Sequence, residues 1–104
     1  MSDRQELKIR NLDFSECRFL GEIYEVIGNE LELPTWFGAN LDALWDAITG
    51  IMYTPAEIRI SRTVGRSELV PDIDEIIAIF REAEEKYHEI SVIVTSKEEK
   101  LSDI

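Results

Sequence analysis

Three short runs with the pattern of β-strands are separated by segments long enough to hold helices, and this order constrains the fold more than any other feature. The runs are ELKIRNLDF at 6–14, EIRI at 57–60 and EISVIVTS at 89–96. Strands joined through such long crossovers run parallel, and helices must cover at least one face of the sheet. The sequence therefore predicts an α/β fold with a three-stranded parallel sheet and about four helices.

The strand runs differ in how much of each is expected to be buried. The first alternates Leu7 and Ile9 with Lys8 and Arg10, which is typical of a strand with one buried face. The third is rich in β-branched residues and almost continuously apolar, which predicts a strand buried more completely.

Two further segments have the apolar spacing of amphipathic helices. The first is predicted to begin near Ser15 and to end at Gly28-Asn29, which is a stop signal. Its apolar face is Phe19, Ile23, Val26 and Ile27. The second opens with PDIDE at 71–75, where Asp72 is the predicted N-cap and Glu75 completes a capping box. Its apolar face is Ile73, Ile76, Ile77, Phe80 and Tyr87.

Length and composition predict one globular domain spanning 1–104, with its core at about 5–96 and a polar tail at 97–104. The chain has 104 residues and is 44 % hydrophobic, which suits a single modest core. A polar connection is predicted at 62–69. No apolar run approaches the roughly 20 residues of a membrane span. Because Cys17 is the only cysteine, no internal disulfide can form, and no signal segment is recognised, so a cytoplasmic location is expected.

The charge balance narrows the class of partner. There are 22 acidic residues against 11 Lys and Arg, a formal net charge of -11. Repulsion between like charges argues against nucleic acid and anionic membranes as ligands and favours a basic protein. The single His88 and single Cys17 supply neither a zinc set nor a Cys–His nucleophile, and no calcium-binding loop pattern occurs, so no cofactor or metal is expected.

The stretch LPTWFGANLDALWDAITG at 33–50 holds the candidate binding residues. Asn40 is a favoured N-cap and Gly50 a favoured stop, and between them an apolar stripe predicts a helix packed on the core, formed by Leu41, Leu44, Trp45 and Ile48. Asp42 and Asp46 are about 40° apart on the other side of this helix. Both carboxylates are predicted to project into solvent.

Two interpretations of these acids stay open at this level. They are ordinary solvated charges of an acidic protein, or they form a binding surface with the neighbouring tryptophans. Like charges at i and i+4 cost an isolated helix roughly 0.2–0.5 kcal/mol, and only Asp42 is close enough to the helix N-terminus for the dipole to offset this cost. Trp36 in the preceding loop is expected to be partly exposed, and Trp45 borders the acids, which is typical of an interface.

The stretch at 33–50 resembles the barstar family, whose members are intracellular inhibitors of barnase-type ribonucleases. FREAEE at 80–85 resembles the family's last helix and EISVIVTS its final strand, so the resemblance covers roughly 5–96. It implies a three-stranded parallel sheet packed with helices. It also implies that the acidic helix and the loop before it block a ribonuclease active site, giving the producing cell immunity to a toxic nuclease, with the inhibitor a monomer when free.

The resemblance assigns roles to individual positions. Asp46 matches an acid that enters the nuclease's cluster of catalytic cationic side chains, and Asp42 matches a second interfacial acid. Glu82 matches an acid of the last helix that faces the partner. The remaining positions implied to contact the partner are Trp36, Gly38, Asn40, Trp45 and Gly50.

Several positions depart from the family pattern, and two of them concern aromatic residues. Trp36 replaces the usual tyrosine, and Ile51 stands where a well-known member has a contacting tryptophan, so the choice of nuclease is expected to differ.

Two other functions are weighed. One is a module that binds a basic protein other than a ribonuclease. The other, an enzyme using Asp42, Asp46 and Glu82 as acid and base, is disfavoured because acids on one exposed helix have no apolar pocket to raise a pKa.

Overall fold

The structure is a computed structural model that describes residues 6–64 and 68–98. The helices and strands follow in the order β1 (Lys8–Asp13), α1 (Leu20–Glu30), α2 (Leu41–Gly50), β2 (Ala56–Val64), α3 (Val70–Lys86) and β3 (Ile90–Glu98). The strands form one parallel sheet in the order β1-β2-β3. The three-stranded parallel sheet is confirmed.

The number of helices is three within the described ranges, where about four were expected. The first crossover holds α1 and α2 and the second holds α3, and Pro34 lies in the non-helical loop between α1 and α2. Strand β3 extends to Glu98, which is the second residue of the predicted polar tail at 97–104. The rest of that tail, 99–104, and residues 65–67 of the predicted polar connection lie outside the described residues.

The helices cover one face of the sheet only. Facing residues of neighbouring strands, such as Leu12 and Ile60, or Ile58 and Val92, are buried together. On the opposite face, Ile93 is 48 % exposed. The prediction that β3 is buried more completely is therefore wrong. A run of β-branched residues favours a strand whether helices cover one of its faces or both.

Because helices cover only one face of the sheet, the prediction of which residues of β1 are buried is also corrected. Leu7 and Ile9 are exposed, and the buried residues of this segment are Leu12 and Phe14. Arg10 lies on the covered side and extends its guanidinium to Glu32, with 3.2 Å between Nη1 and the carboxylate. The alternation was correct, but the register with β2 places the other set of residues on the core.

Helix α1 begins later than predicted. A turn occupies the chain after β1, where the Asp13 carboxylate accepts hydrogen bonds from the backbone N–H and the hydroxyl of Ser15, at 3.0 and 2.6 Å. The Glu22 carboxylate accepts from the Arg18 backbone N–H at 2.6 Å. Phe19 is consequently the residue before the helix and is exposed, whereas the predicted Gly28 stop lies within the helix.

Helix α3 begins before the predicted cap. It starts at Val70 with Pro71 in its first turn, a position that a proline tolerates because the first N–H groups of a helix have no intrahelical partner. Asp72 is therefore inside the helix, and the predicted capping box with Glu75 is wrong. Ile73, Ile76 and Phe80 are buried as predicted, but the chain is extended at Tyr87, which is exposed. Among the helices that the structure describes, none is long and apolar enough to span a membrane.

Candidate protein-binding site

Helix α2 is held rigidly by a cap and by the core. The Asn40 side chain accepts a hydrogen bond from the backbone N–H of Ala43 at 2.8 Å, which confirms it as the N-cap. The apolar side of the helix is fixed in the core by Leu44, Ala47 and Ile48, which are at most 1 % exposed. Gly50 is the last residue of the helix and not a residue beyond it.

Asp42 and Asp46 are exposed on the outer side of α2. Over the described part of the chain neither carboxylate has an ion pair or a hydrogen bond. Trp45 is half-buried against the core, and its backbone carbonyl accepts the Thr49 hydroxyl at 2.8 Å. Two free acids are thus presented by a helix whose position is fixed.

The loop before α2 presents Trp36 to solvent. Leu33 and Phe37 pack against the core on either side of it, and the Phe37 backbone N–H bonds the Pro34 carbonyl at 2.9 Å. Trp36 between these anchors is 73 % exposed, as predicted for an aromatic residue in this loop. Such exposure of a tryptophan leaves a large apolar area available to a partner.

The two glycines of the candidate site are in different environments. A Cβ at Gly38 would lie 3.4 Å from the Asn40 amide nitrogen and 3.6 Å from Ala43 Cβ, which are ordinary van der Waals contacts beside the N-cap. A Cβ at Gly50 would meet nothing within 4 Å. Gly50 therefore has open space around it on the outer side of the helix end.

Helices α2 and α3 run side by side in the same direction. Their N-terminal turns line one cavity, where Asp42 is near Glu75, and the C-terminal end of α2 lines another cavity with Tyr87. Counting along the two helices places Glu82 nearly level with Asp46. Glu82 is exposed and makes no ion pair with any described residue. Helical spacing places Glu82 on the side of α3 that carries Glu75, which lines the cavity with Asp42.

The cavity at the N-terminal turns was not predicted from the sequence. It has a volume of about 440 Å³ and lies between α1, α2 and α3. Its polar lining residues are Tyr24, Asn40, Asp42, Asp72 and Glu75. A signal was present in the spacing of Asp72, Glu75 and Glu82, which places these acids along one side of α3. The prediction assigned the first two to a cap instead.

Tyr24 is the buried polar residue of this cavity. It is 6 % exposed, and its ring packs at a tilt on Phe37 with 6.3 Å between ring centroids. Burial raises the pKa of the Tyr24 phenol, and the nearby carboxylates of Asp72 and Glu75 raise it further. The phenol therefore stays protonated and lies close to two negative charges.

Comparison with known proteins relates the whole described fold to one group of inhibitors. A family model described as "Barstar (barnase inhibitor)" matches residues 7–99. A Bacillus subtilis (strain 168) protein named "Putative ribonuclease inhibitor YrdF" is 27 % identical over 83 residues, covering 79 % of this chain and 88 % of that protein. The range 7–99 matched by the family model includes all of α2, the loop before it and α3.

Proposed function

Because the chain belongs to the barstar family, we propose that it is a protein inhibitor of a barnase-type ribonuclease. The observation that carries the proposal is the pair of exposed, unpaired carboxylates of Asp42 and Asp46 on a helix fixed by the core. The name of the Bacillus subtilis relative supports the same class of function.

The proposed mechanism is occupation of the active site without reaction. A ribonuclease needs arginine, lysine and histidine side chains to bind phosphates, and carboxylates form charge-assisted hydrogen bonds with these donors while offering no scissile bond. Asp46 is the proposed centre of this contact, with Asp42 and Glu82 beside it. The exposed ring of Trp36 adds apolar contact at the edge. The chain acts in this proposal as a binding protein and not as an enzyme.

The rigidity of α2 supports tight binding. Ordering a flexible segment on association costs free energy, and a helix already held by Leu44 and Ile48 avoids most of that cost. The contacts of Gly38, Asn40, Trp45 and Gly50 with the partner are part of the proposal. So are a cytoplasmic site of action, immunity to a toxic nuclease, and a free monomer that binds one nuclease molecule.

The test is an inhibition titration with purified basic bacterial ribonucleases, barnase included, using a fluorogenic RNA substrate. We expect stoichiometric inhibition of at least one enzyme by the wild type and strong loss of inhibition by Asp46→Ala. Glu85→Ala is the matched control, because Glu85 is an exposed acid of α3 outside the proposed site. Binding of a basic protein without inhibition of any ribonuclease would favour the module that recognises another partner.

A further inference from the structure

The two edges of the sheet differ in how their outward backbone groups are satisfied. On β3, the Ile90 N–H donates to the Tyr87 carbonyl oxygen at 3.1 Å. The next outward residue is Val92, whose N–H and carbonyl oxygen are both bonded by the side chains of Glu84 and Arg81. The start of β3 is therefore closed to another strand at these two residues.

The edge formed by β1 has no such cover. The backbone N–H groups of Lys8 and Phe14 donate to carbonyl oxygens on the side of β2, at 3.0 and 2.8 Å. Successive residues of a strand direct their backbone groups to opposite sides, so Ile9 and Asn11 direct theirs away from β2. Both residues are exposed, and over the described part of the chain their backbone groups make no hydrogen bond. The edge can therefore accept a further strand.

The side chains along β1 indicate what kind of strand fits. Leu7 and Ile9 are 53 % and 46 % exposed and share the uncovered face of the sheet. On the other face, the Lys8 ammonium lies 5.3 Å from the centroid of the Tyr53 ring and makes no ion pair with any residue that the structure describes. The charge of Arg10 is already balanced by its own ion pair. The edge thus offers two aliphatic side chains on one face and one free cation on the other.

We propose that β1 is a docking edge for an extended segment of another protein in which aliphatic and acidic residues alternate. Backbone hydrogen bonds with Ile9 and Asn11 add a fourth strand to the sheet. The aliphatic residues of the segment pack on Leu7 and Ile9, and a carboxylate on its other face meets Lys8. This surface includes no residue of α2, so the proposal goes beyond the proposed function and does not depend on it.

Charge disfavours a second copy of this chain as the occupant. Antiparallel pairing of two β1 strands puts the Lys8 and Arg10 side chains of both copies on the same side of the joined sheet, where like charges repel. Each copy also carries a net charge of -11, which opposes association of the whole molecules.

The test is a titration of the ¹⁵N-labelled full chain with a short blocked peptide of alternating valine and glutamate, followed by NMR. We expect saturable shifts that are largest at the amides of Ile9 and Asn11, and little change at Val92 and Asp46. Hydrogen exchange of the Ile9 and Asn11 amides should slow at least tenfold in the complex, because both N–H groups become hydrogen-bonded. Shifts without slower exchange at these two amides would overturn strand addition.

Two control peptides separate strand addition from unspecific attraction. A peptide of alternating valine and lysine should bind several-fold more weakly, because it places an ammonium against Lys8. The valine–glutamate peptide with an N-methylated backbone should not bind, because it has no N–H groups and cannot approach an edge strand closely. Equal binding of all three peptides would overturn the proposal.

Variants of the chain test the backbone and the charge separately. Ile9→Pro removes an N–H that points outward, so it leaves the bonds to β2 intact and should abolish binding. Lys8→Glu should reverse the preference, so that the valine–lysine peptide binds more tightly than the valine–glutamate peptide. Lys86→Glu, at an exposed cation that ends α3, is the matched control and should change nothing. Circular dichroism verifies that each variant is folded, and an unchanged preference in Lys8→Glu would contradict the proposed acidic partner.

The same samples distinguish the remaining outcomes. If the amides of Ile9 and Asn11 shift with concentration of the free chain alone, a second copy occupies the edge and the proposal is wrong. Because no nuclease is present, failure of the peptide to bind refutes the docking edge alone, whereas failure to inhibit any ribonuclease refutes the proposed function alone.

Discussion

Glu84 and Val92 are joined across the edge of the sheet, because the Glu84 carboxylate accepts a hydrogen bond from the Val92 backbone N–H at 2.9 Å. Arg81 completes the arrangement by donating from Nη1 to the Val92 carbonyl oxygen at 3.0 Å. Strand β3 is an edge strand, so its outward backbone groups would otherwise be open to pairing with another chain. Two side chains of α3 thus satisfy the backbone N–H and C=O of Val92, near the start of β3.

We predict that Glu84→Ala lowers the free energy of unfolding by about 0.5–1.5 kcal/mol, since it removes a hydrogen bond to a part-buried N–H. Urea denaturation followed by circular dichroism measures the change. Glu84→Gln keeps an acceptor oxygen and should lose less stability than Glu84→Ala. Equal stability of the wild type and Glu84→Ala would show that this contact contributes nothing.

Asp46→Ala is predicted to weaken binding to the inhibited ribonuclease by about 2–5 kcal/mol, mostly through faster dissociation, because cationic groups of the partner would be left buried without a counter-charge. Surface plasmon resonance gives both rate constants. Stability should be unchanged or rise by roughly 0.2–0.5 kcal/mol, since repulsion from Asp42 is removed. A variant that unfolds, checked by calorimetry, would mean that Asp46 has a structural role.

Association with the ribonuclease should be steered by charge. The net charge of -11 attracts a basic partner before contact. Dissolved salt screens this attraction beyond the Debye length, which is about 8 Å at physiological ionic strength. Stopped-flow measurements should therefore show an association rate constant that falls steeply as sodium chloride is raised. The dissociation rate constant should change much less, and an association rate independent of salt would contradict the prediction.

Specificity is predicted to depend on the aromatic positions at the two ends of the candidate site. Ile51 caps the C-terminal end of α2 and is 43 % exposed, so a larger side chain fits there without repacking the core. Ile51→Trp should strengthen inhibition of barnase relative to inhibition of the chain's own partner. Aromatic anchors often contribute about 2 kcal/mol or more to an interface. Parallel inhibition titrations of both enzymes measure the effect, and no change in their ratio would exclude Ile51 from specificity.

Tyr24 is predicted to make the folded state less stable at alkaline pH. Its pKa is raised in the folded protein by burial and then by Asp72 and Glu75, so above about pH 10 the unfolded chain releases this proton first. The unfolded state then binds fewer protons, and the free energy of unfolding falls as pH rises. Tyr24→Phe should reduce this slope, measured by urea denaturation between about pH 9 and 11. Tyr53→Phe, at an exposed tyrosine, is the control.

Local sequence patterns determined most of the helices and strands and the exposure of the two acids of the candidate site. Asn40 capped α2 as predicted, and the stripe of Leu44 and Ile48 turned Asp42 and Asp46 outward. These features depend on neighbours within one or two helical turns, where side-chain chemistry and helical periodicity act directly.

Only the tertiary structure decided which faces were covered and which distant residues met. The sequence patterns place Ile9 and Phe19 on apolar faces, yet both residues are exposed, because strand register and the turn held by Asp13 set which side reaches the core. The cavity of Tyr24, Asp72 and Glu75 exists because α2 and α3 run in parallel against α1. Such contacts between segments far apart in the chain depend on how the helices and strands pack. The periodicity of a single segment does not contain that information.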